Sequence, residues 1–546
     1  MTEAPEKYIG GGVPRKEDPA LVTGRANWTD NIRLPGMLHA TLLRSPYAHA
    51  KIRSIDVSEA RNQPGVVAVF TGDDLAQDWD RNPQANPAAV TGYDLSFEER
   101  QGSGAQVTET PTESEQTDEK LRTFLAWYVT EDIKVPNHWP IARDEVNYAG
   151  DIVAVVVATD RYRAQDALEF IEVDYEPLDV VTDMEEAVRE GAPLVHDYLG
   201  TNKSYTWELA VGEDADEVFS NADVTVKQRF IQQRLIPNAI ETRAVVSAPD
   251  PVNGGFTVYS STQVPHILKA VLSAYCGVPE QRLRIVAPDV GGGFGSKLNV
   301  YAEEVIALVL SRKLGVPIKW VEDRSENYLA TIHGRDQIQD IELAADSSGR
   351  IQGMRVHLLA DMGAYLQLNG PGIPLLGAFM YPGVYTFGSY QFSCTGVFTN
   401  KTPTDAYRGA GRPEAAYAIE RMMDLLAREV GVDPLEVRRR NFYEPFDEPT
   451  ETPAGIQYDS MNMQGAVDRL LEIADYEGLR EEQRRRRESG DPVQLGLGFS
   501  TYTEICGLAP SQVLAALRAG GAGWEVASVR MLASGKVEVV TGTSPH

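Results

Sequence analysis

Three short segments concentrate the residues able to do chemistry. "STQVPH" places the amide of Gln263 at the end of a β-rich run. "DVGGGFGSK" places four glycines in the five positions 291–295, around Phe294. "DAYRGAGRPEAAYAIE" sets Arg408 and Arg412 among Gly409, Ala410 and Gly411, ahead of a helical pattern opened by Pro413. A plain apolar core requires none of these. A glycine-rich turn frees backbone N–H groups and lets a ligand approach the main chain, while arginine offers a planar fork of donors to an oxyanion. The chemistry indicated is the capture of an anion or other acceptor by backbone donors with cationic support. The plain alternatives are a tight turn that needs positive φ, and ordinary surface ion pairs for the two arginines.

The elements around the glycines are legible. Leu283–Ala287 is short, apolar and β-rich, so it reads as a buried strand. Beyond the turn, Leu298, Val305, Ile306, Val309 and Leu310 recur at helical spacing, with a stop at Gly315 and Pro317. The spacing predicts a helix over Ser296–Leu314 starting at the turn, with Gly293–Gly295 facing a cavity and the helix N-terminus aimed at the same point. Two phosphate loops are excluded. Lys297 follows Ser296 and precedes Leu298, which is no G-x-x-x-x-G-K-[ST]; counted from Gly291 and Gly293, the third position of a G-x-G-x-x-G is Ser296.

Composition narrows the class. The 546 residues are 42% apolar and 24% charged, which fits a soluble globular protein of three or more domains. A net charge of −28 argues against nucleic acid or an anionic membrane as partner. No apolar leader opens the sequence, and Ile152–Ala158 is far too short to span a bilayer, so no integral membrane segment is expected. Cys276, Cys394 and Cys506 are isolated, which suits a reducing cytoplasm and supplies no ligand set for an iron–sulfur cluster. The His spacing offers no zinc site, so no metal is expected on side chains.

The fold class expected is α+β. Residues 1–195 form one α+β unit with an acidic insertion at about 80–135, whose most polar stretch is 96–120. Residues 201–442 form a second unit holding all three segments. Residues 455–546 open a third, incomplete one, in which "REEQRRRRESG" is a solvated face.

Together "STQ", "DVGGGFGSK" and "AYRGAGRPEA" resemble the large, molybdopterin-binding subunit of the xanthine oxidase family of molybdenum hydroxylases. The N-terminal "GRANWTDNIRLPGMLHATLLRSPYAHAKI" is similar to that family's α/β hammerhead domain, to be followed by molybdopterin-binding domains. The resemblance implies a molybdenum–molybdopterin cofactor, taken to be the cytosine dinucleotide form, held through pterin sulfurs. It implies Gln263, Gly292, Gly293, Phe294, Gly295 and Arg408 as cofactor contacts. Hydroxylation of an aldehyde or N-heterocycle carbon follows, with oxygen from water. Electrons would leave through an iron–sulfur subunit and an FAD-binding subunit, in a dimer of heterotrimers located in the cytoplasm.

Departures from the family shape the substrate expectation. The overall layout resembles aerobic carbon monoxide dehydrogenases, which carry a copper-binding Cys directly after the Arg of the "AYR" motif; Gly409 stands there, so no copper is expected. Xanthine dehydrogenases carry a Glu after the Lys of the glycine turn, and here Leu298 stands there. Leu298, Gly409, Ala410 and Gly411 are therefore expected to line a pocket with room for a small organic substrate. The family's catalytic Glu lies further downstream, so the base is expected beyond His546, in a part of the subunit this sequence does not include. The chain alone is expected to be inactive. Alternatives are carbon monoxide dehydrogenase-type activity, a non-catalytic cofactor-binding or assembly homologue, and a nucleotide-binding enzyme.

Overall fold

Seven consecutive apolar residues need burial on both faces, and 152–158 receive it. In the computed structural model, which describes residues 12, 14–79, 127, 129–505, 507 and 527–542, every residue of that strand is buried. The strands of the first unit are β1 (Leu38–Arg44), β2 (Ala50–Asp56), β3 (Val66–Thr71), β4 (Glu145–Val146), β5 (Ile152–Ala158) and β6 (Glu172–Pro177). The second unit contributes β7 (Lys203–Gly212), β8 (Val224–Gln232), β9 (Ala244–Asp250), β10 (Gly255–Ser260), β11 (Leu283–Val286), β12 (Ile318–Val321), β13 (Gln337–Ala345), β14 (Ile351–Gly363) and β15 (Ser389–Phe398). The helices that matter below are α1 (Arg161–Ala167), α2 (Pro265–Cys276), α3 (Ala302–Leu314), α4 (Arg412–Val430), α5 (Met463–Ala474) and α6 (Tyr476–Ser489).

The fold is α+β, as expected. A seven-stranded sheet runs β11-β10-β9-β12-β1-β5-β3, and a five-stranded one runs β7-β15-β14-β13-β8. A three-stranded sheet, β4-β2-β6, completes the first unit. The seven-stranded sheet crosses the boundary read from the sequence: β1 pairs in parallel with β12 through Leu38↔Ile318. The first unit is therefore fused to the second by backbone hydrogen bonds.

One core lies between the seven-stranded sheet and helices α2 and α3. The larger core lies on the five-stranded sheet, where α4 buries Ala415, Ala418, Ile419, Met422, Met423 and Leu426. That spacing of three and four residues is one helical stripe. Pro413 opens α4, and Gly431, at φ 68°, closes it. Helices α5 and α6 add Val467, Leu471 and Tyr476 to this same core. Among the described residues, 455–505 thus leans on the second unit and has no core of its own. The arginine-rich stretch is the largely exposed face of α6, anchored by buried Gln483. Most of the acidic insertion lies outside the described residues, as do Cys506 and the last four positions. Among the described residues, no helix is long and apolar enough to cross a membrane.

Strands β10 and β11 are parallel neighbours, paired from Phe256↔Leu283 to Tyr259↔Val286. Their carboxyl ends lie side by side and deliver Gln263 and the glycine turn to one place, the usual position for a ligand in an open sheet.

Candidate functional site

Gln263, the glycine turn and the Arg408 loop meet through direct hydrogen bonds. The Oε1 of Gln263 accepts from the N–H groups of Gly295 (3.1 Å) and Lys297 (3.3 Å), and its own N–H donates to the Lys297 carbonyl (2.8 Å). The Arg408 N–H donates to the Phe294 carbonyl (2.9 Å). Behind the loop, Arg335 donates to the carbonyls of Tyr407 (3.1 Å) and Arg408 (2.7 Å) and pairs with Glu414.

The glycines are there because protein approaches them. A Cβ at Gly291 would stand 2.5 Å from Glu241 Cβ, and one at Gly293 would stand 2.3 Å from Gln263 Oε1. At Gly295 it would stand 2.0 Å from the Ala406 carbonyl oxygen, with φ at 101°. Three segments are drawn against one turn, and side chains would hold them apart. On the side that a Cβ would occupy, Gly293 and Gly295 thus meet protein. A cavity of about 90 Å³ does lie nearby, lined by Asn299, Tyr301 and Gln367 together with His138 and Asp151 of the first unit.

The helix expectation needs correction. Residues 296–301 are not helical, and α3 begins at Ala302. Ser296 and Leu298 donate back to Gly293 (2.9 Å) and Gly295 (3.0 Å), and Lys297 bonds in both directions with Gln263. These bonds use the backbone groups a helix would need. The N-terminus of α3 faces its own carboxylate: the Tyr301 N–H donates to Glu304 Oε2 at 3.0 Å. The helix dipole is therefore answered locally and is not aimed through the glycines.

The turn nevertheless keeps donors in reserve. Among the described residues, no acceptor takes the N–H groups of Gly292, Gly293 or Phe294, nor those of Gly409 and Gly411. Gly292 (φ 97°) and Phe294 (φ 54°) lie in the left-handed region, which turns successive N–H groups toward a common side. Phe294 is 38% exposed, and the Arg408 guanidinium lies 5.9 Å from its ring centroid. Arg408 is exposed, and its side chain bonds to no described residue. Arg412, the other cation of the loop, is paired with Glu504 and matches the plain alternative.

The expected pocket residues differ among themselves. Leu298 is half-buried against the larger core. Gly409 does not open space: a Cβ there would meet Pro413 Cγ at 2.3 Å, and φ is 95°. Gly411 is likewise closed off by the Ile373 carbonyl, 2.2 Å from a Cβ at that position. Ala410, at φ 44°, donates its N–H to the Tyr407 carbonyl at 2.7 Å. The room expected from the missing side chains at Gly409 and Gly411 is filled by protein.

Three residues of the site went unread in the sequence. Glu241 reaches Gly291 and Lys297 from 50 and 56 positions upstream. Asp405 is buried and accepts from the N–H groups of Ala406 (2.6 Å) and Asn369 (3.2 Å). Burial pushes its carboxyl up to about 7, against the pull of those two bonds. Arg335 sits at φ 65°, a strain no sequence pattern displays. The only available signals were a Glu beside a strand entry and an Asp directly before "AYR".

A molybdopterin cofactor-binding domain matches residues 195–442. The α/β hammerhead domain of aldehyde oxidase and xanthine dehydrogenase matches 23–96 and 122–179. The chain is 35% identical to the carbon monoxide dehydrogenase large chain of Hydrogenophaga pseudoflava, over 95% of this chain and 61% of that one. It is 34% identical to the nicotine 6-hydroxylase large subunit of Paenarthrobacter nicotinovorans, over 98% and 60% respectively. The crystal structure of quinoline 2-oxidoreductase from Pseudomonas putida 86 superposes with a TM-score of 0.86 at 32% identity, covering 99% of this chain and 63% of that one. The chain thus spans about three fifths of the length of these relatives.

Proposed function

The chain belongs to the xanthine oxidase family of molybdopterin-binding large subunits, and from that premise we propose that its glycine turn holds a molybdopterin cofactor for the hydroxylation of an aldehyde or N-heterocycle carbon. The observation that carries this reading is the run of three backbone donors at Gly292–Phe294 that no acceptor takes among the described residues, beside the Arg408 guanidinium, which bonds to none of them. Such a run suits an acceptor-rich group, and the close-packed glycines hold it rigidly. When bound, the molybdenum group supplies the two-electron oxidation and the activation of water that the described side chains do not.

The chain's own residues do the positioning. Gln263 fixes Gly295 and Lys297, so the three free N–H groups keep one orientation. Phe294 covers the approach with its exposed ring, and Arg408 supplies positive charge. The relatives named above act, by their names, on carbon monoxide, nicotine and quinoline. Among these, the heterocycle oxidisers fit better than the carbon monoxide enzyme. Gly409 has no room for a thiol, since even a Cβ would overlap the Pro413 ring. A copper ligand at this position would require Pro413 to move, so the site reads as copper-free. The reading includes the cytosine dinucleotide form of the cofactor. It also includes iron–sulfur and FAD subunits as electron acceptors, assembly as a dimer of heterotrimers, and a cytoplasmic location.

The test is metal and pterin analysis of the purified full complex, with oxidation assays on carbon monoxide, aldehydes and N-heterocycles. Molybdenum and pterin without stoichiometric copper, with turnover of an organic substrate, is the expected result. Copper at one per molybdenum, or fast carbon monoxide oxidation, would overturn the copper-free assignment. Absence of both molybdenum and pterin would overturn the function.

A further inference from the structure

We propose that Glu241 and Lys297 form a buried clasp that sets the shape of the glycine turn, making Glu241 a positioning residue for the cofactor. The inference rests on the reading that the turn receives that cofactor. One carboxylate oxygen, Oε2, accepts from the Gly291 N–H at 2.7 Å and from Lys297 Nζ at 2.8 Å. The Glu241 N–H donates to the Gly291 carbonyl at 3.1 Å. The first and last residues of 291–297 are thereby tied to one side chain. Gly291 lacks a Cβ where one would stand 2.5 Å from Glu241 Cβ, so the turn is built around this contact.

The pair is poorly designed for stability alone. The Lys297 side chain is 1% exposed and Glu241 17%. Burial lowers the Lys297 ammonium from its ordinary range, and Glu241 pulls it back. Glu241 Oε1 is buried with no hydrogen-bond partner among the described residues. A buried ion pair with an unanswered lone pair contributes less than well-packed apolar residues of the same volume. What the pair supplies is geometry. It closes a seven-residue loop in which Gly292, Gly293 and Phe294 keep their N–H groups away from protein acceptors. Without the clasp those donors can turn inward, and the site loses its preformed shape.

Two double variants of the full complex separate the clasp from a mere charge pair. Glu241→Gln with Lys297→Met keeps an acceptor for the Gly291 N–H and leaves no unpaired charge. Glu241→Leu with Lys297→Met removes the acceptor as well. Molybdenum and pterin per chain, hydrogen exchange of amides 291–297 and thermal midpoint are measured for both. The Gln/Met variant keeps the Gly291 tie but not the Lys297 tie and should lose cofactor about threefold; the Leu/Met variant loses both ties and should lose about tenfold or more, as is usual when a supporting shell is removed. Exchange at Gly291 should accelerate only in the Leu/Met variant, with similar midpoints for the two. Equal cofactor content in both variants, or equal loss in both, would overturn the clasp. If wild type carries no molybdenum or pterin, the cofactor reading fails on its own. The exchange difference between the two variants would then still decide whether Glu241 shapes the turn.

Discussion

The seam between β1 and α3 and the glycine turn both contain buried charge, and they treat it in opposite ways. At the seam, Arg243 donates to Glu303 (3.0 and 3.1 Å), to Glu322 (2.6 and 3.0 Å) and to Thr331 (2.9 Å), with its guanidinium carbon 3.7 Å from the Tyr301 ring centroid. Arg44 of β1 joins from the other side, donating to Glu303 (2.7 Å), Glu326 (2.9 Å) and the Gly150 carbonyl (3.1 Å). At the turn, by contrast, one carboxylate oxygen of Glu241 goes unused and three consecutive N–H groups have no acceptor among the described residues. Such a network is a scaffold, because each buried charge in it meets an opposite one. Unanswered backbone donors in a rigid turn leave hydrogen-bonding capacity that the described residues do not use.

The largest effect should come from breaking the charge-paired side. Arg243→Met leaves Glu322 buried without its cation and strips one partner from Glu303. The expected loss is about 3–5 kcal/mol, read as a lower urea midpoint at unchanged slope. A loss below about 1 kcal/mol would mean that the seam is held by its β1–β12 pairing and its apolar contacts, not by charge.

The carboxylates of α3 give the comparison a pH axis. The two arginines hold Glu303 down to about 2 despite burial, whereas burial pushes Glu304 up to about 7 despite bonds from Ser260 and the Tyr301 N–H. For Glu303 the folded value lies below its ordinary 4.5, so its contribution is full above 4.5 and is lost as pH falls toward 2. Glu304 has the opposite sign. Its folded value lies above 4.5, so it weakens the fold progressively as pH rises from 4.5 to 7. Glu304→Gln keeps an acceptor for Tyr301 and can donate to Ser260. It should match wild type near pH 4.5 and be more stable at pH 8, by up to about 3 kcal/mol. Denaturation at the two pH values checks this, and equal stability at both would place Glu304 in a wetter site than the geometry indicates.

Much of the scaffold was legible because local chemistry dictated it. Ile152–Ala158 had no polar residue to turn outward, and α4 carries its own Pro start and Gly stop. The start of α3 was not legible. Leu298 falls in helical phase with Val305, yet residues 296–301 bond to Gln263 and the turn, and no periodicity can show a partner more than 30 positions away. The same distance hid Glu241. The glycines announced a close approach but not by what, and the approaching atoms proved to be protein. At Gly409 a missing side chain suggested room, while the Pro413 ring, four positions on, fills it.

Gly295→Ala sharpens the comparison from the turn's side. The added Cβ would meet a backbone oxygen, which cannot rotate away, at a φ that L-residues rarely adopt. About 1–3 kcal/mol of destabilisation is expected, together with loss of molybdenum and pterin from the complex. Gly293→Ala should be milder, because the atoms it meets belong to the Gln263 side chain, which can swing. If Gly293→Ala proves the more damaging, the orientation of Gln263 matters more than the contact with the Ala406 carbonyl.

The smallest effect on stability should be at Arg408, and it is the sharpest test of where scaffold ends. The Arg408 main chain is fully engaged: its N–H meets the Phe294 carbonyl, and its carbonyl receives Arg335. Its side chain is exposed and bonds to no described residue, with only the Phe294 ring at 5.9 Å. Arg408→Ala therefore keeps every bond that positions the loop, and the unfolding free energy should change by no more than about 0.5 kcal/mol. If the guanidinium serves the cofactor, molybdenum and pterin content should still fall several-fold at an unchanged thermal midpoint, and Arg408→Lys should restore only part of it, because an ammonium lacks the planar fork. A fall in stability without a fall in cofactor would assign this side chain to the scaffold. The boundary between paired and unanswered groups would then run through the glycine turn itself rather than between it and the Arg408 loop.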